Sequence, residues 1–175
     1  NTGLGNLYIN DFAFDSQNTV YVGTQGDGIY KSTNSGNLWT KLAYDGNMNV
    51  TSLYVSPDDD NKIYAGTYGS GLYYSTDGGA SWEQRNRSID NDGLNITIES
   101  MHITAIALTT DGTLLVGTYG DGVYRSEDNG LNWRRGNSGT NSTKFINQIS
   151  VISSDLVLMA TNDNGMFESF NHGLL

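Results

Sequence analysis

Four near-copies of one eleven-residue pattern run through this chain, and an internal repeat restricts the available folds more than composition does. They stand at residues 22–32 (VGTQGDGIYKS), 65–75 (AGTYGSGLYYS), 116–126 (VGTYGDGVYRS) and 159–169 (MATNDNGMFES). Their closing serines, Ser32, Ser75, Ser126 and Ser169, are 43, 51 and 43 residues apart. A short alternating apolar segment precedes each copy: Ile9/Phe12/Phe14, Val50/Leu53/Val55, Ile103/Ile106/Leu108 and Ile146/Ile149/Val151. The first members precede their serines by 23, 25, 23 and 23 residues. The two extra residues of the second unit fall in the hydrophilic turn 57–61 (PDDDN), so the insertion leaves the strands in register.

Each unit reads as four strands. The alternating segment is the first, and the second covers 19–24, 62–67, 113–118 and 156–161. The third runs from Gly28, Gly71, Gly122 or Gly165 to the serine, and the fourth begins near Trp39, Trp82 or Trp133. β-Branched and aromatic residues fill these runs, Gly, Asn and Asp separate them, and no segment keeps a helical period beyond a turn or two. Units of this length with four strands have the size of a propeller blade, and one blade alone cannot bury both faces of its sheet. The expected fold is an all-β β-propeller segment of about four blades, each a four-stranded antiparallel sheet. The blades fall at roughly 6–47, 48–96, 97–143 and 144–175, the last lacking its final strand. An open stack exposes apolar blade faces and a strand edge, so further blades from a longer chain, or other copies, are expected to close the ring.

Composition narrows the function. The formal charge of −10 repels a nucleic-acid backbone, so no nucleic-acid partner is expected. The absence of cysteine removes disulfides and Cys-ligated metal sites. No apolar run approaches the ~18–20 residues of a transmembrane helix. The acidic, Asn/Gly/Ser/Thr-rich composition fits an extracellular or periplasmic protein. His102 and His172 stand alone, and the Gly-Asp-Gly tips are too short for a calcium loop, so no metal and no cofactor is expected.

After each serine the chain reads STNSGNLW (32–39), STDGGASW (75–82) and SEDNGLNW (126–133), and a fourth copy begins as SFNHGLL (169–175). The acid or amide at the third position can accept backbone N–H groups of its own turn, and Gly at the fifth admits a positive φ. Trp at the eighth folds back over the hairpin. These segments resemble Asp-box motifs, or BNR repeats (Ser-x-Asp-x-Gly-x-x-Trp). The resemblance covers nearly the whole chain and extends to sialidases, xyloglucan-degrading glycoside hydrolases, sortilin-type receptors and photosystem-assembly propellers. It implies a structural, peripheral role for Ser32, Asn34, Gly36 and Trp39, for Ser75, Asp77, Gly79 and Trp82, for Ser126, Asp128, Gly130 and Trp133, and for Ser169, Asn171 and Gly173.

Recognition is expected on the opposite face, at the turns between second and third strands and at the inter-unit loops. The candidate binding residues are Gln25, Asp27, Tyr68, Tyr119, Asp121, Asn162 and Asp163, with Arg87 in the longest loop, between Trp82 and Ile103. Tyr44 and Asp45 are further loop candidates. Amides, carboxylates and tyrosine rings suit a sugar, whose hydroxyls need polar edges and whose ring face needs a flat apolar surface. An enzyme of the sialidase type needs convergent arginines, and Arg85, Arg87, Arg125, Arg134 and Arg135 do not recur at matching tip positions. Asp27 and Asp121 are the candidate carboxylate pair for acid–base work; no catalytic residue is otherwise assigned. The reading is a non-catalytic extracellular module for glycan or protein binding or scaffolding. The alternative is a glycoside hydrolase fragment whose catalytic residues lie partly outside this segment.

Overall fold

The structure is a computed structural model. It describes residues 1–46, 48–89, 95–98, 101–136, 145–162 and 164–170, with backbone alone at 87–89 and 95–97. The first unit folds as β1 (Ile9–Phe14), β2 (Val20–Thr24), β3 (Ile29–Ser32) and β4 (Thr40–Lys41). The second gives β5 (Val50–Ser56), β6 (Asp59–Thr67), β7 (Leu72–Ser75) and β8 (Glu83–Gln84), and is followed by a small ribbon, β9 (Arg87–Ile89) and β10 (Asn95–Thr97). The third gives β11 (Ile103–Leu108), β12 (Leu114–Thr118), β13 (Val123–Ser126) and β14 (Arg134–Arg135). The fourth gives β15 (Ile146–Val151), β16 (Val157–Thr161) and β17 (Met166–Ser169).

Within every unit the strands pair antiparallel in chain order, giving three four-stranded sheets, one three-stranded sheet and the separate β9–β10 ribbon among the described residues. The leading strands β1, β5, β11 and β15 pack side by side, so the sheets fan outward from a common axis. This is the propeller arrangement. Each leading strand bulges after its first residue, at Ile9/Asp11, Val50/Ser52, Ile103/Ala105 and Ile146/Gln148. The bulge turns the next residue toward the neighbouring sheet. Asn10 Nδ2 donates to Val50 O at 2.8 Å, Thr51 Oγ1 to Ile103 O and Thr104 Oγ1 to Ile146 O, so the same bond recurs at each seam.

The core lies in the seams. Ala13, Tyr21 and Ile29 of the first sheet meet Val50, Leu53 and Ile63 of the second. Tyr64 and Leu72 meet Ile103, Ile106 and Leu114. Ala105, Ala107 and Leu115 meet Ile146, Ile149 and Val157. Each fully buried aliphatic side chain contributes about 1.5–3 kcal/mol. The glycine before each of the first three tip threonines, Gly23, Gly66 and Gly117, sets how closely the sheets approach. A Cβ on Gly66 would come within 2.5 Å of Ile103 Cγ2, and one on Gly117 within 2.5 Å of Ile146 Cγ2.

Two local expectations change. The insertion at 57–61 is not all turn: β6 begins at Asp59, so the extra residues extend the hairpin. The long connection after Trp82 is not plain loop, since it holds the β9–β10 ribbon, whose following residue Ile98 packs fully buried in the second seam.

Candidate functional site

The four tips between second and third strands share one geometry. The threonine hydroxyl donates to the carbonyl four residues on, Thr24 to Gly28, Thr67 to Gly71, Thr118 to Gly122 and Thr161 to Gly165, at 2.8–2.9 Å. The same oxygen accepts the amide N–H of Asp27, Ser70, Asp121 or Asn164 at 3.1 Å. Gly28, Gly71, Gly122 and Gly165 all take positive φ, 70–82°, which side-chain-bearing residues resist. The residue after the threonine is thereby set at the same place in every sheet: Gln25, Tyr68, Tyr119 and Asn162.

Each of those four residues joins one neighbour, and Gln25, Tyr68 and Tyr119 join a second. Their amides donate to the carbonyl of the residue just before their own leading strand: Gln25 to Tyr8 at 2.9 Å, Tyr68 to Asn49 at 3.0 Å, Tyr119 to His102 at 2.9 Å and Asn162 to Phe145 at 3.0 Å. The first three also bridge, antiparallel, to the residue before the next leading strand: Gln25 to Asn49, Tyr68 to His102 and Tyr119 to Phe145. A continuous ribbon results, in the order Tyr8, Gln25, Asn49, Tyr68, His102, Tyr119, Phe145, Asn162. Its centre is aromatic. Ring centroids are 4.5 Å apart for Tyr68–His102, 5.7 Å for His102–Tyr119 and 4.8 Å for Tyr119–Phe145. Tyr68 and Tyr119 are 58% and 52% exposed, so each offers ring surface to a ligand while the ladder holds its base. Partial burial lowers the His102 pKa from its ordinary value, favouring the neutral imidazole.

Gln25, Tyr68, Tyr119 and Asn162 are thus brought together. Asp27 and Asp121 are engaged elsewhere. Asp27 accepts the Tyr30 hydroxyl and pairs with Lys41; Asp121 accepts the Tyr124 hydroxyl and is gripped by Arg135 at 3.0 and 3.1 Å, one nitrogen to each oxygen. The Lys41 hydrogen bond, then that of Tyr30, holds the Asp27 pKa below the usual carboxylate range. These groups tie tip to third and fourth strands. Asp163 and the Arg87 side chain lie outside the described residues.

Tyr44 is buried rather than exposed in its loop. Its ring is buried edge-on against Tyr73 and Trp82, at 5.2 and 5.5 Å, and burial pushes its hydroxyl pKa well up. Sequence reading passed over Tyr8 and Phe145 and took His102 as standing alone, whereas its ring lies between those of Tyr68 and Tyr119. The signal was present: Tyr8, His102 and Phe145 all stand one residue before a leading strand, at one repeat position.

The Ser-to-Trp hairpins repeat as closely. Each serine Oγ donates to the third residue, Ser32 to Asn34, Ser75 to Asp77 and Ser126 to Asp128, at 2.8–2.9 Å. It also accepts the N–H of Gly36, Gly79 or Gly130 at 2.8–2.9 Å. Oδ1 of Asn34, Asp77 and Asp128 accepts the amide of Leu38, Ser81 and Asn132 at 2.8–2.9 Å. The fourth position takes positive φ as well, at Ser35, Gly78 and Asn129. The indoles differ. Trp133 is fully buried and donates to Arg85 O of the preceding sheet at 2.8 Å, Trp82 donates to Gly79 O at 3.2 Å, and Trp39 is half-buried. Ser169 is buried, while Asn171 and Gly173 lie outside the described residues.

Antiparallel sheets fanned about an axis, with an aromatic ribbon along their axial tips, define the class: four consecutive blades of a β-propeller. The family profile described as sortilin, neurotensin receptor 3, matches residues 27–171. The chain belongs to the Sortilin-Vps10 family. It superposes on an ancestral GH74 enzyme with TM-score 0.77 and 24% identity, covering 99% of this chain and 24% of that one. The extracellular domain of a putative one-component system from B. thetaiotaomicron gives TM-score 0.72 and 20% identity, with 96% and 22% covered. A computationally designed protein gives TM-score 0.67 and 14% identity, with 97% and 96% covered. The chain therefore spans about a quarter of the length of the first two. A search of curated proteins finds no match. Among the described residues no helix is long and apolar enough to cross a membrane.

Proposed function

We propose that the chain is a non-catalytic, secreted β-propeller module that binds a neutral glycan along the Tyr68–His102–Tyr119–Phe145 ribbon. The observation that carries this is the ladder itself: exposed tyrosine faces held at fixed spacing by a backbone that crosses three seams. Flat rings cover the apolar face of a pyranose, and Gln25, Asn49 and Asn162 on the same ribbon supply amides for its hydroxyls. The net charge of −10 favours a neutral sugar over a polyanion. The likeness to extracellular domains of B. thetaiotaomicron systems supports a place outside the cell. The Ser-to-Trp hairpins act on this reading as Asp-boxes, which brace the rim opposite the ligand.

The experiment is glycan-array binding followed by calorimetry on any hit. Tyr68→Ala and Tyr119→Ala should each weaken binding roughly tenfold, as the loss of a hot-spot ring does. A hit whose affinity both variants preserve removes the ribbon as the site, and a protein ligand with no glycan hit replaces the ligand class.

A second reading rests on the GH74 superposition: part of a glycoside hydrolase whose acids lie partly outside these residues. Chromogenic sialosides and β-glucans test it directly. Turnover that Asp27→Asn or Asp121→Asn abolishes establishes the enzyme, and glycan retention without turnover establishes the module.

A further inference from the structure

The tip that carries Tyr68 is held differently from its neighbours. In the first and third tips Asp27 and Asp121 accept the hydroxyls of Tyr30 and Tyr124 and pair with Lys41 and Arg135. The second tip has Ser70 where those acids stand and Gln84 where those cations stand, and Gln84 Nε2 donates to Tyr73 OH at 2.7 Å. A charged clasp is therefore not open to it. Asn86, 5% exposed, takes over: Nδ2 donates to Ser70 O at 2.9 Å and Oδ1 accepts the Leu72 N–H at 2.8 Å. One carboxamide spans the tip with its donor and its acceptor both in use, which an aliphatic side chain cannot do.

The backbone of the same residue holds the other member of the ring pair. Ile98 N–H donates to Asn86 O at 2.8 Å, and Met101 N–H donates to Ile98 O at 3.1 Å. The Ile98 side chain is fully buried in the second seam. His102 follows Met101 directly, so its place is set from Asn86 through Ile98. The fit is tight: a Cβ on Gly71 would collide with Asn86 Oδ1 and come within 2.5 Å of Ile98 O.

The repeat shows what is particular to this blade. Arg85 N–H donates to Leu72 O as Leu42 N–H does to Ile29 O and Gly136 N–H to Val123 O, at 2.9–3.0 Å. The next residues, Ala43, Asn86 and Asn137, are therefore counterparts. Ala43 has no side-chain amide, and in the first blade the N–H groups of Gly26 and Gly28 go to Met48 O at 3.0 and 2.9 Å. Asn137 lies outside the described residues. We propose that Asn86 is the positioning residue of the ribbon: it fixes Tyr68 and His102 relative to each other, and so sets the aromatic surface that a pyranose ring meets. The ligand half of this rests on the glycan reading; the ring geometry does not.

NMR of the whole chain tests the ring geometry without a ligand. There are two histidines, so the His102 ring protons are readily assigned. Tyr68→Ala removes the ring current that Tyr68 exerts from 4.5 Å and gives the reference shift at fixed pH. Asn86→Ala should move the His102 resonances most of the way toward that reference while the circular dichroism spectrum stays β-type. Asn86→Asp keeps the acceptor for Leu72 N–H and loses the donor to Ser70 O. It should give a smaller shift in the same direction, and it serves if the alanine variant fails to fold. Trp82→Ala, which loosens the first seam, should leave His102 at its wild-type position. Binding is read with methyl β-glucopyranoside, a neutral pyranose. Asn86→Ala should weaken it roughly tenfold, as Tyr68→Ala does, and the double variant should be no weaker than either single one, because both act through one ring. His102 resonances that stay at the wild-type position in the folded Asn86 variants overturn the proposal, as does an equal shift in Trp82→Ala. A double variant weakened by the product of the two single effects overturns its ligand half. A His102 shift with no pyranoside binding removes the glycan reading and upholds the positioning role of Asn86.

Discussion

The Tyr68 and His102 rings stand 4.5 Å apart, centroid to centroid, across the seam between the second and third blades. Neither unit alone makes this contact. The Tyr68 amide is held by Asn49 of its own blade, while its antiparallel bridge is to His102 of the next. A ligand spread over both rings would read the seam rather than one blade, and the blades must be packed before it can bind.

Binding and stability should separate at the tips. Tyr68→Ala removes an exposed ring and should shift unfolding by less than about 0.5 kcal/mol. Tyr64→Ala, four residues earlier, removes a fully buried ring and the hydrogen bond from its hydroxyl to Asn129 Oδ1 at 2.8 Å. It should cost about 3–5 kcal/mol. Urea denaturation of both variants checks the contrast.

Gly117→Ala should destabilise by about 1–3 kcal/mol, the cost of overpacking a filled seam. The new methyl would meet Ile146 Cγ2 at 2.5 Å and Ala105 Cβ at 3.3 Å, neither the loose end of a flexible chain. The companion change Ile146→Ala should couple favourably with it, the pair costing less than the sum of the two single changes, because it removes the Cγ2 that the new methyl meets. A double-mutant cycle on denaturation midpoints measures the coupling.

The three tryptophans should rank. Trp133→Ala should cost about 3–5 kcal/mol, since it empties a buried site and strands Arg85 O. Trp39 is half-buried, and its Nε1 has no hydrogen-bond partner among the described residues. Trp39→Ala should cost distinctly less, with Trp82→Ala between. Denaturation midpoints of the three variants give the order.

Asp77 should contribute to acid sensitivity. Hydrogen bonds from the Ser81 side chain and backbone, then from Ser75, lower its pKa from 3.8 to about 2. The carboxylate is favoured in the folded state, so its contribution is present above about pH 4 and is lost as the pH falls toward 2. Wild type should exceed Asp77→Ala in urea midpoint at pH 7, and the gap should narrow between pH 4 and 2. A gap that stays constant over that interval contradicts the assignment.

The strands, tips and hairpins were legible because their bonds are local. Ser75 to Asp77 and Gly79, or Thr118 to Gly122 and Asp121, join residues two to four apart. Such bonds need certain residue types at certain spacings, and a fourfold repeat shows those spacings four times. Tyr44 misled because a polar aromatic in a loop reads the same whether it faces water or closes a seam. Asn86 is likewise turned inward: its buried amide donates to Ser70 O and accepts Leu72 N–H. The tip acids also read as free until Tyr30, Lys41, Tyr124 and Arg135 were seen to hold them.

By itself, then, the order of residues determined four hairpin-built sheets, their register and their bracing, since short-range geometry leaves those segments few alternatives. The packed molecule decided which residues share a surface. The ribbon joins chain positions 34 apart from Tyr68 to His102, and the Tyr64–Asn129 bond spans 65. No local rule reaches that far: such pairs exist only because large apolar side chains on one leading strand must be buried against its neighbour, and that burial turns the tips of successive blades toward each other.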